Sequence, residues 1–412
     1  MQPLAVRIQR YWLFLFLILI PFSTWYITQT PFAISPINVF SIVFILLGLL
    51  NLLVGNIPWT KVGDRQTVLI IAALFLALAY GLLFTHPVRS GIGFWISRLI
   101  QPLLVGMTVY QMVAAGYLKV EEFVEALFWS ILPLVIGGTL QLLHLLPYLD
   151  PGRVSVAYRW PDTFGRYIEI LLLLSAPWLF LKERLRPWRV MLWLAGVLIM
   201  SASLSYSVVA SFVLGLVAVL VVLPPPFQRL RNWTLIGLVV ITLLAAIFAP
   251  HLPKWEATIT ASRLTRLEFW TVAVHTIQTH FWTGIGLKGW QLQYFELVQK
   301  YGPNHPPINW ASQQPQNVFL EAFLKAGLPG FIAITGVLLW PIWRGIQVAR
   351  QNIQDLGWFG LSAVGYGVGM LTFGLLDDPL WSDDTTPLLF SIFLLLAWVH
   401  TSKSLRNSLK LK

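Results

Sequence analysis

Residues 262–291 read SRLTRLEFWTVAVHTIQTHFWTGIGLKGWQ, and residues 314–330 read QPQNVFLEAFLKAGLPG. Together they frame the longest polar-containing interval in a chain that otherwise reads as membrane from end to end. The interval 262–330 holds Arg263 and Arg266, the histidines His275, His280 and His305, and four tryptophans, Trp270, Trp282, Trp290 and Trp310. A chain this apolar has to put its water-side chemistry somewhere, and this interval has room for it.

Around it, only 11% of the 412 residues are charged and the mean hydropathy is +0.71, whereas soluble domains carry about 25% charged residues. Apolar runs long enough to cross a bilayer recur along the chain. They place spans near 11–29, 37–56, 67–85, 93–115, 124–146, 168–181, 189–204, 206–224, 232–250, 328–347, 357–376 and 386–402. The seventh and eighth share one apolar run broken by Ser201, Ser203, Ser205 and Ser207. A tight polar hairpin is expected there, with one long tilted helix as the alternative. The expected fold is all-α: a polytopic membrane protein of about twelve transmembrane helices, with one large external loop containing amphipathic helices. Residues 1–250 hold the first nine spans, 251–327 the loop, and 328–412 the last three spans. The run after Arg7 and Arg10 has no small-residue cleavage site and reads as a first span. There is no cysteine, so thiolate chemistry and disulfides are excluded.

Charge fixes the expected orientation. With the N-terminus in the cytoplasm, the inner side collects 17 basic residues against six acids, an excess equal to the chain's net charge of +11. The basic balance is thus a topology signal, and nucleic acid is not an expected partner. Both termini fall inside. Residues 148–167, 251–327 and 377–385 share the outer side.

Within the loop, Leu264, Leu267, Trp270, Val272 or Val274, and Ile277 have helical spacing, so an amphipathic helix is expected over 262–281. It ends at Thr283-Gly-Ile-Gly. A second helix begins near Pro315, and Gly327-Leu-Pro-Gly330 leads into the tenth span.

The order R-x-x-x-W (Arg266 to Trp270), G-x-G (Gly284 to Gly286), P-x-N-x-x-L (Pro315 to Leu320) and G-L-P-G (Gly327 to Gly330) resembles the O-antigen ligase and O-antigen polymerase family. The resemblance is clearest over about 262–345. It implies a polytopic glycosyltransferase of the bacterial inner membrane. Such an enzyme moves an oligosaccharide from a polyprenyl diphosphate carrier to a glycan or glycolipid acceptor on the outer face. The resemblance implies neither metal nor other cofactor. It gives arginines the diphosphate, which suits a planar, permanently charged guanidinium. It gives a histidine the role of base, but that position is Gln316, and glutamine cannot take a proton at neutral pH. A second arginine, usual after serine at the start of the eighth span, is replaced in Ser205-Tyr206-Ser207.

The candidate catalytic residues are therefore Arg266, for the diphosphate, and His305, Asp378 and Glu321 as substitute bases. Arg153, Arg159, Arg166, Arg263, Gln316 and Asn317 are the candidate substrate-binding residues. Glu169, an intramembrane acid, pairs most simply with Arg166. Asp377, Asp378, Asp383 and Asp384 form a dense acidic turn. Trp290 and Trp310 offer rings for stacking on sugars. Two other readings stay open: a non-catalytic member of the fold that binds lipid-linked glycans, and a small-anion transporter. The scarcity of charge within the spans, where Arg98 and Glu169 stand almost alone, speaks against transport.

Overall fold

Long apolar segments in lipid must satisfy their backbone internally, which makes them helices. The computed structural model describes residues 3–19, 36–147, 153–156, 161–182, 186–227, 232, 253–302, 314–351, 356–378, 380 and 385–410, with backbone alone for 19, 36–37, 226, 253–265 and 403–410. Among these residues every regular element is helical. In chain order they are α1 (Leu4–Leu19), α2 (Pro36–Leu53), α3 (Arg65–Leu82), α4 (Val88–Ala114), α5 (Val120–Leu142), α6 (Pro161–Lys182), α7 (Pro187–Ser201), α8 (Tyr206–Val222), α9 (Pro253–Thr279), α10 (Gly289–Tyr301), α11 (Val318–Ala349), α12 (Trp358–Leu376) and α13 (Thr385–Lys410).

Seven of these helices, α3 to α6 and α11 to α13, are long and apolar enough to cross a membrane; part of α2, α7 and α8 are shorter apolar helices. The protein is a polytopic membrane protein. The proposed ninth span, 232–250, lies outside the described residues apart from Asn232. The shared apolar run of spans seven and eight resolves as a hairpin: α7 stops at Ser201, Leu204 takes φ +53°, and α8 starts after Ser205. A polar tetrad interrupts the helix because serine hydroxyls compete for backbone groups.

Helix α12 is the hub, packing on α11, α8 and α6. Its small residues allow this: a Cβ at Gly360 would lie 2.4 Å from Ala349 N on α11. Close backbone approach through small residues is how helices associate in lipid.

Charged pairs segregate to the two ends of the bundle. Arg10–Glu122 (2.9 Å), Arg189–Glu125 (2.8 Å) and Arg344–Asp64 (2.6 Å) each join groups that the alternating topology puts on the inner side. Arg153–Asp162 (2.8 Å) and Lys325–Glu321 (2.5 Å) join groups that the same topology puts on the outer side.

Two expectations about the loop need correction. Its first helix runs Pro253–Thr279, beginning well before residue 262. Its buried face matches the expected spacing only in part: Val272 is buried and Trp270 and Ile277 pack inward, but Leu267 and Val274 are 47% and 43% exposed, and Arg266, Phe269, Ala273 and Thr276 also turn inward. The inward face packs on α10 and α11, so the helix presents apolar residues outward and carries an arginine into the protein. The sequence also gave no warning of α10, whose Trp290, Tyr294, Leu297 and Val298 form a satellite core with Phe269, Val272 and Leu324.

Candidate functional site

Two motifs some forty residues apart in the chain interlock to build the site. In α11 the helix breaks at Ala326 and Gly327, where Gly327 takes φ +60° and ψ −153°. That region of backbone space is nearly reserved for glycine. In an unbroken helix the Leu328 N–H would bond to the Leu324 carbonyl. The break frees both groups, and the turn after α9 takes both. Ile285 N donates to Leu324 O at 2.7 Å, and Leu328 N donates to Phe281 O at 2.9 Å. The fit requires bare backbone, since a Cβ at Gly327 would collide with Trp282 O and one at Gly284 would lie 2.6 Å from Leu324 O. Leu287 N donates to Thr85 Oγ1 at 2.9 Å, which ties the turn to the α3–α4 connection. G-x-G and G-L-P-G are thus one joint.

The joint sets the last turn before the break. Asn317 caps α11: its Oδ1 accepts from Phe319 N and Leu320 N at 3.0 and 3.1 Å, while its Nδ2 donates to Leu375 O at 2.9 Å. The cap therefore pins the start of α11 to the end of α12. One turn on, Glu321 points inward, 1% exposed, and pairs with Lys325, itself 3% exposed. Just past α12, Asp378 is buried against Glu321, and its Oδ1 accepts from Leu380 N at 3.2 Å. Burial, then the charge and hydrogen bond of Glu321, push the Asp378 carboxyl well above the usual carboxylate range, with Lys325 opposing. Two carboxyls this close cannot both ionise freely, so they hold a proton between them.

Two arginines complete the cluster. Arg166, buried on α6, donates from Nη1 to Asp378 O at 3.0 Å and lies 5.5 Å from the Phe373 ring. Arg266, buried on α9, sits 5.1 Å over the ring of Tyr206, the residue that follows Ser205 where the resemblance expects arginine. Both guanidiniums act on Asp377. Burial and then the charge of Asp162 push the pKa of that carboxyl above the usual carboxylate value, and Arg266 and Arg166 oppose them.

Arg166, Asp378 and Glu321 thus meet in one buried cluster, which the charge of Arg266 reaches by way of Asp377. Other candidates have different places. Arg153 is engaged across the α7–α8 hairpin, donating from Nε to Ser203 O at 2.9 Å and pairing with Asp162. Gln316 is partly buried, at φ +50° beside the cap. Arg159, His305, Asp383, Asp384 and Trp310 lie outside the described residues, as does the side chain of Arg263. Trp290 is 3% exposed within the satellite core, so it is packing and offers no face to a sugar. Glu169 lies within the field of Arg166 and sits by Ser211, with Oε1 2.8 Å from where a Cβ on Gly369 would lie. Buried charge near the spans is also more plentiful than expected, because Glu321 and Lys325 belong to the same helix as the tenth span. Lys325 and Tyr206 were not anticipated. The i,i+4 spacing of Glu321 and Lys325 was a signal for the first; nothing in the sequence pointed to the second.

Residues 171–335 match the family model described as O-antigen ligase, which supports assigning the chain to the O-antigen ligase and polymerase family. The matched stretch contains Arg266, the G-x-G and G-L-P-G joint, Glu321 and Lys325; Arg166 and Asp378 lie beyond its ends. No curated protein matches the chain.

Proposed function

We propose that this protein is an outer-face glycosyltransferase of the bacterial inner membrane, with both termini cytoplasmic. It transfers an oligosaccharide from a polyprenyl diphosphate carrier to a hydroxyl of a glycan or glycolipid. The observation that carries this reading is the meeting of two buried arginines with a buried carboxyl pair.

The residues suit the reaction. The acceptor oxygen attacks the sugar carbon attached to the diphosphate. Its proton passes to the carboxylate of the Glu321–Asp378 pair. The bond from that carbon to the diphosphate oxygen breaks, and the electron pair leaves on phosphate. Arg266 and Arg166 stabilise the departing charge by fixed, bidentate hydrogen bonds, which is electrostatic work done best by preorganised donors. Lys325 keeps the carboxyl pair from carrying net charge alone in a buried place. The shared proton leaves one ionised oxygen facing the acceptor, which is the function the absent histidine would serve. Nothing in this scheme routes through a metal.

Gln316 at the expected histidine position favours a second reading, in which the protein binds lipid-linked glycans without turning them over. Transfer from a polyprenyl-diphosphate oligosaccharide in proteoliposomes decides between them. The expected results are turnover that survives chelator, and loss of most of the rate in Arg266→Lys, because lysine keeps the charge without the fork. Binding of the lipid with no turnover by the wild type would overturn the enzyme reading. Loss of rate in His305→Ala with none in Glu321→Gln or Asp378→Asn would move the base to the loop.

A further inference from the structure

Thr85 lies in the short connection from α3 to α4, far from the carboxyl pair in sequence, and is wholly buried. Its hydroxyl is used on both sides. Oγ1 donates to Gly81 O at 3.0 Å and accepts from Leu287 N at 2.9 Å. The two residues it bonds are also two that hold Lys325. At its tip, Lys325 Nζ donates to Leu287 O at 3.1 Å. At its backbone, Lys325 O lies so close to Gly81 that a Cβ there would collide with it. The Phe94 ring, centred 4.5 Å from Nζ, closes a third side. The ammonium so held stands 2.5 Å from Glu321.

The same region meets the turn backbone to backbone. A Cβ on Gly286 would lie 2.7 Å from Thr85 Cα and from Phe84 O. The Thr85 hydroxyl registers the turn on the end of α3, and the turn carries the Leu287 carbonyl. A lysine tip sits on a flexible four-carbon stem, so it goes where its acceptors are. With Leu287 O fixed, the ammonium has a second acceptor in a set place beside Glu321. Its position decides how strongly the carboxyl pair is held at one proton and kept from taking a second. With both of its bonds used on Gly81 and Leu287, the Thr85 hydroxyl acts on the carboxyls through Lys325.

We propose that Thr85 is a positioning residue for the Glu321–Asp378 pair: through Leu287 and Gly81 it fixes the Lys325 ammonium that keeps one carboxylate ready for the acceptor proton. The link to transfer rests on the transferase reading; the hold on Lys325 does not.

The test compares Thr85→Val, which keeps the shape without the hydroxyl, with Thr85→Ser, which keeps the hydroxyl. The first readout is transfer from a polyprenyl-diphosphate oligosaccharide by the full chain in proteoliposomes. Thr85→Val should lower kcat per folded molecule by about tenfold, the size of one buried hydrogen bond, with KM for the donor near wild type. Thr85→Ser should keep the wild-type rate. The second readout needs no turnover. A hydrophobic carbodiimide adds to protonated carboxyls, so labelling of Glu321 and Asp378 at neutral pH is followed by peptide mass spectrometry. Thr85→Val should label several-fold faster than wild type, and Thr85→Ser should label like wild type. The charged groups nearby on other elements, Asp378, Arg166 and Lys288, are the same in both variants. In a Lys325→Met background Thr85→Val should change the labelling no further, because the two residues act in series. An equal change with and without Lys325 would overturn the positioning role. If Thr85→Val does not fold, Thr85→Cys takes its place, since a thiol is a weak donor and acceptor, and the same direction is expected. A variant that melts earlier yet keeps its kcat and its labelling would make Thr85 packing only. Faster labelling of Thr85→Val in a chain whose wild type transfers nothing keeps the hold on Lys325 and removes the transferase reading.

Discussion

The two ends of the bundle use the same residue types to opposite effect. At the inner end Arg344 donates to Asp64 at 2.6 Å, to Gln66 at 2.9 Å and to Gln347 at 2.6 Å. Asp64 in turn caps α3, accepting from Gln66 N at 3.2 Å and Thr67 Oγ1 at 2.8 Å. Arg344 and Asp64 each have an opposite charge and further hydrogen bonds there, although among the described residues the buried Arg344 Nε finds no hydrogen-bond partner. At the outer end two carboxyls face each other beside one lysine, paired to Glu321, and Arg266 lies over the Tyr206 ring with its charge acting on Asp377. Buried charge contributes stability only where its partners are complete. An incomplete set is a reserve of binding and proton-transfer capacity, and functional sites are where such reserves are found. The inner end reads as a lock and the outer end as a site.

The largest effect should separate them by activity. Glu321→Gln should lower the transfer rate by about 10²- to 10⁴-fold, the usual cost of losing a base. Thermal stability should stay near wild type, because the Asp378 carboxyl can ionise in place of Glu321 and keep a negative charge beside Lys325. A variant that keeps its rate and melts much earlier would make the outer pair a second lock. Arg344→Ala is the converse. It should cost about 3–5 kcal/mol of stability by leaving Asp64 buried without its partner, while the rate per folded molecule stays near wild type. A collapse of turnover in correctly folded Arg344→Ala would erase the distinction.

A smaller effect should come from the joint. Gly327→Ala forces a side chain into a strained backbone region, which costs about 1–3 kcal/mol before its collision with Trp282 is added. Hydrogen exchange should report it as faster exchange at Ile285 and Leu328, the two amides that bridge the motifs. Unchanged protection there would mean that the break in α11 does not depend on the turn. The smallest effect concerns pH. The Asp378 carboxyl is raised above its unfolded value of about 3.9. Its contribution is therefore fully present below that value and is lost as pH rises through the raised folded pKa. Wild-type melting temperature should fall across that window, and Asp378→Asn should flatten the slope. An equal slope in both would assign the titration to another group.

Periodicity and composition made the membrane class legible, because a chain with so few charges has no soluble fold open to it. The broken run at Ser201–Ser207 was legible as a hairpin for a local reason. Arg266, Arg166, Glu321 and Asp378 could each be singled out, since buried or outer-side charge in such a chain calls for a reason. The face of α9 was legible only in part: apolar spacing grouped Leu267 with Trp270 and Ile277 and left Val272 and Val274 as alternatives, and in lipid the outside is apolar too, so the pattern that orients a helix in water loses much of its meaning.

The sequence by itself determined that the protein is helical and membrane-embedded, that its polar chemistry gathers in the loop around residues 262–330, and that the usual histidine is absent. Only the tertiary structure decided which acid stands beside which. Asp378 and Glu321 are 57 residues apart, one just past the end of α12 and the other on α11, and nothing local relates them. Their meeting depends on the break at Gly327, the Asn317 cap holding the end of α12, and the packing of α12 at the hub. Each of these is a contact between distant segments, made only once the helices have assembled.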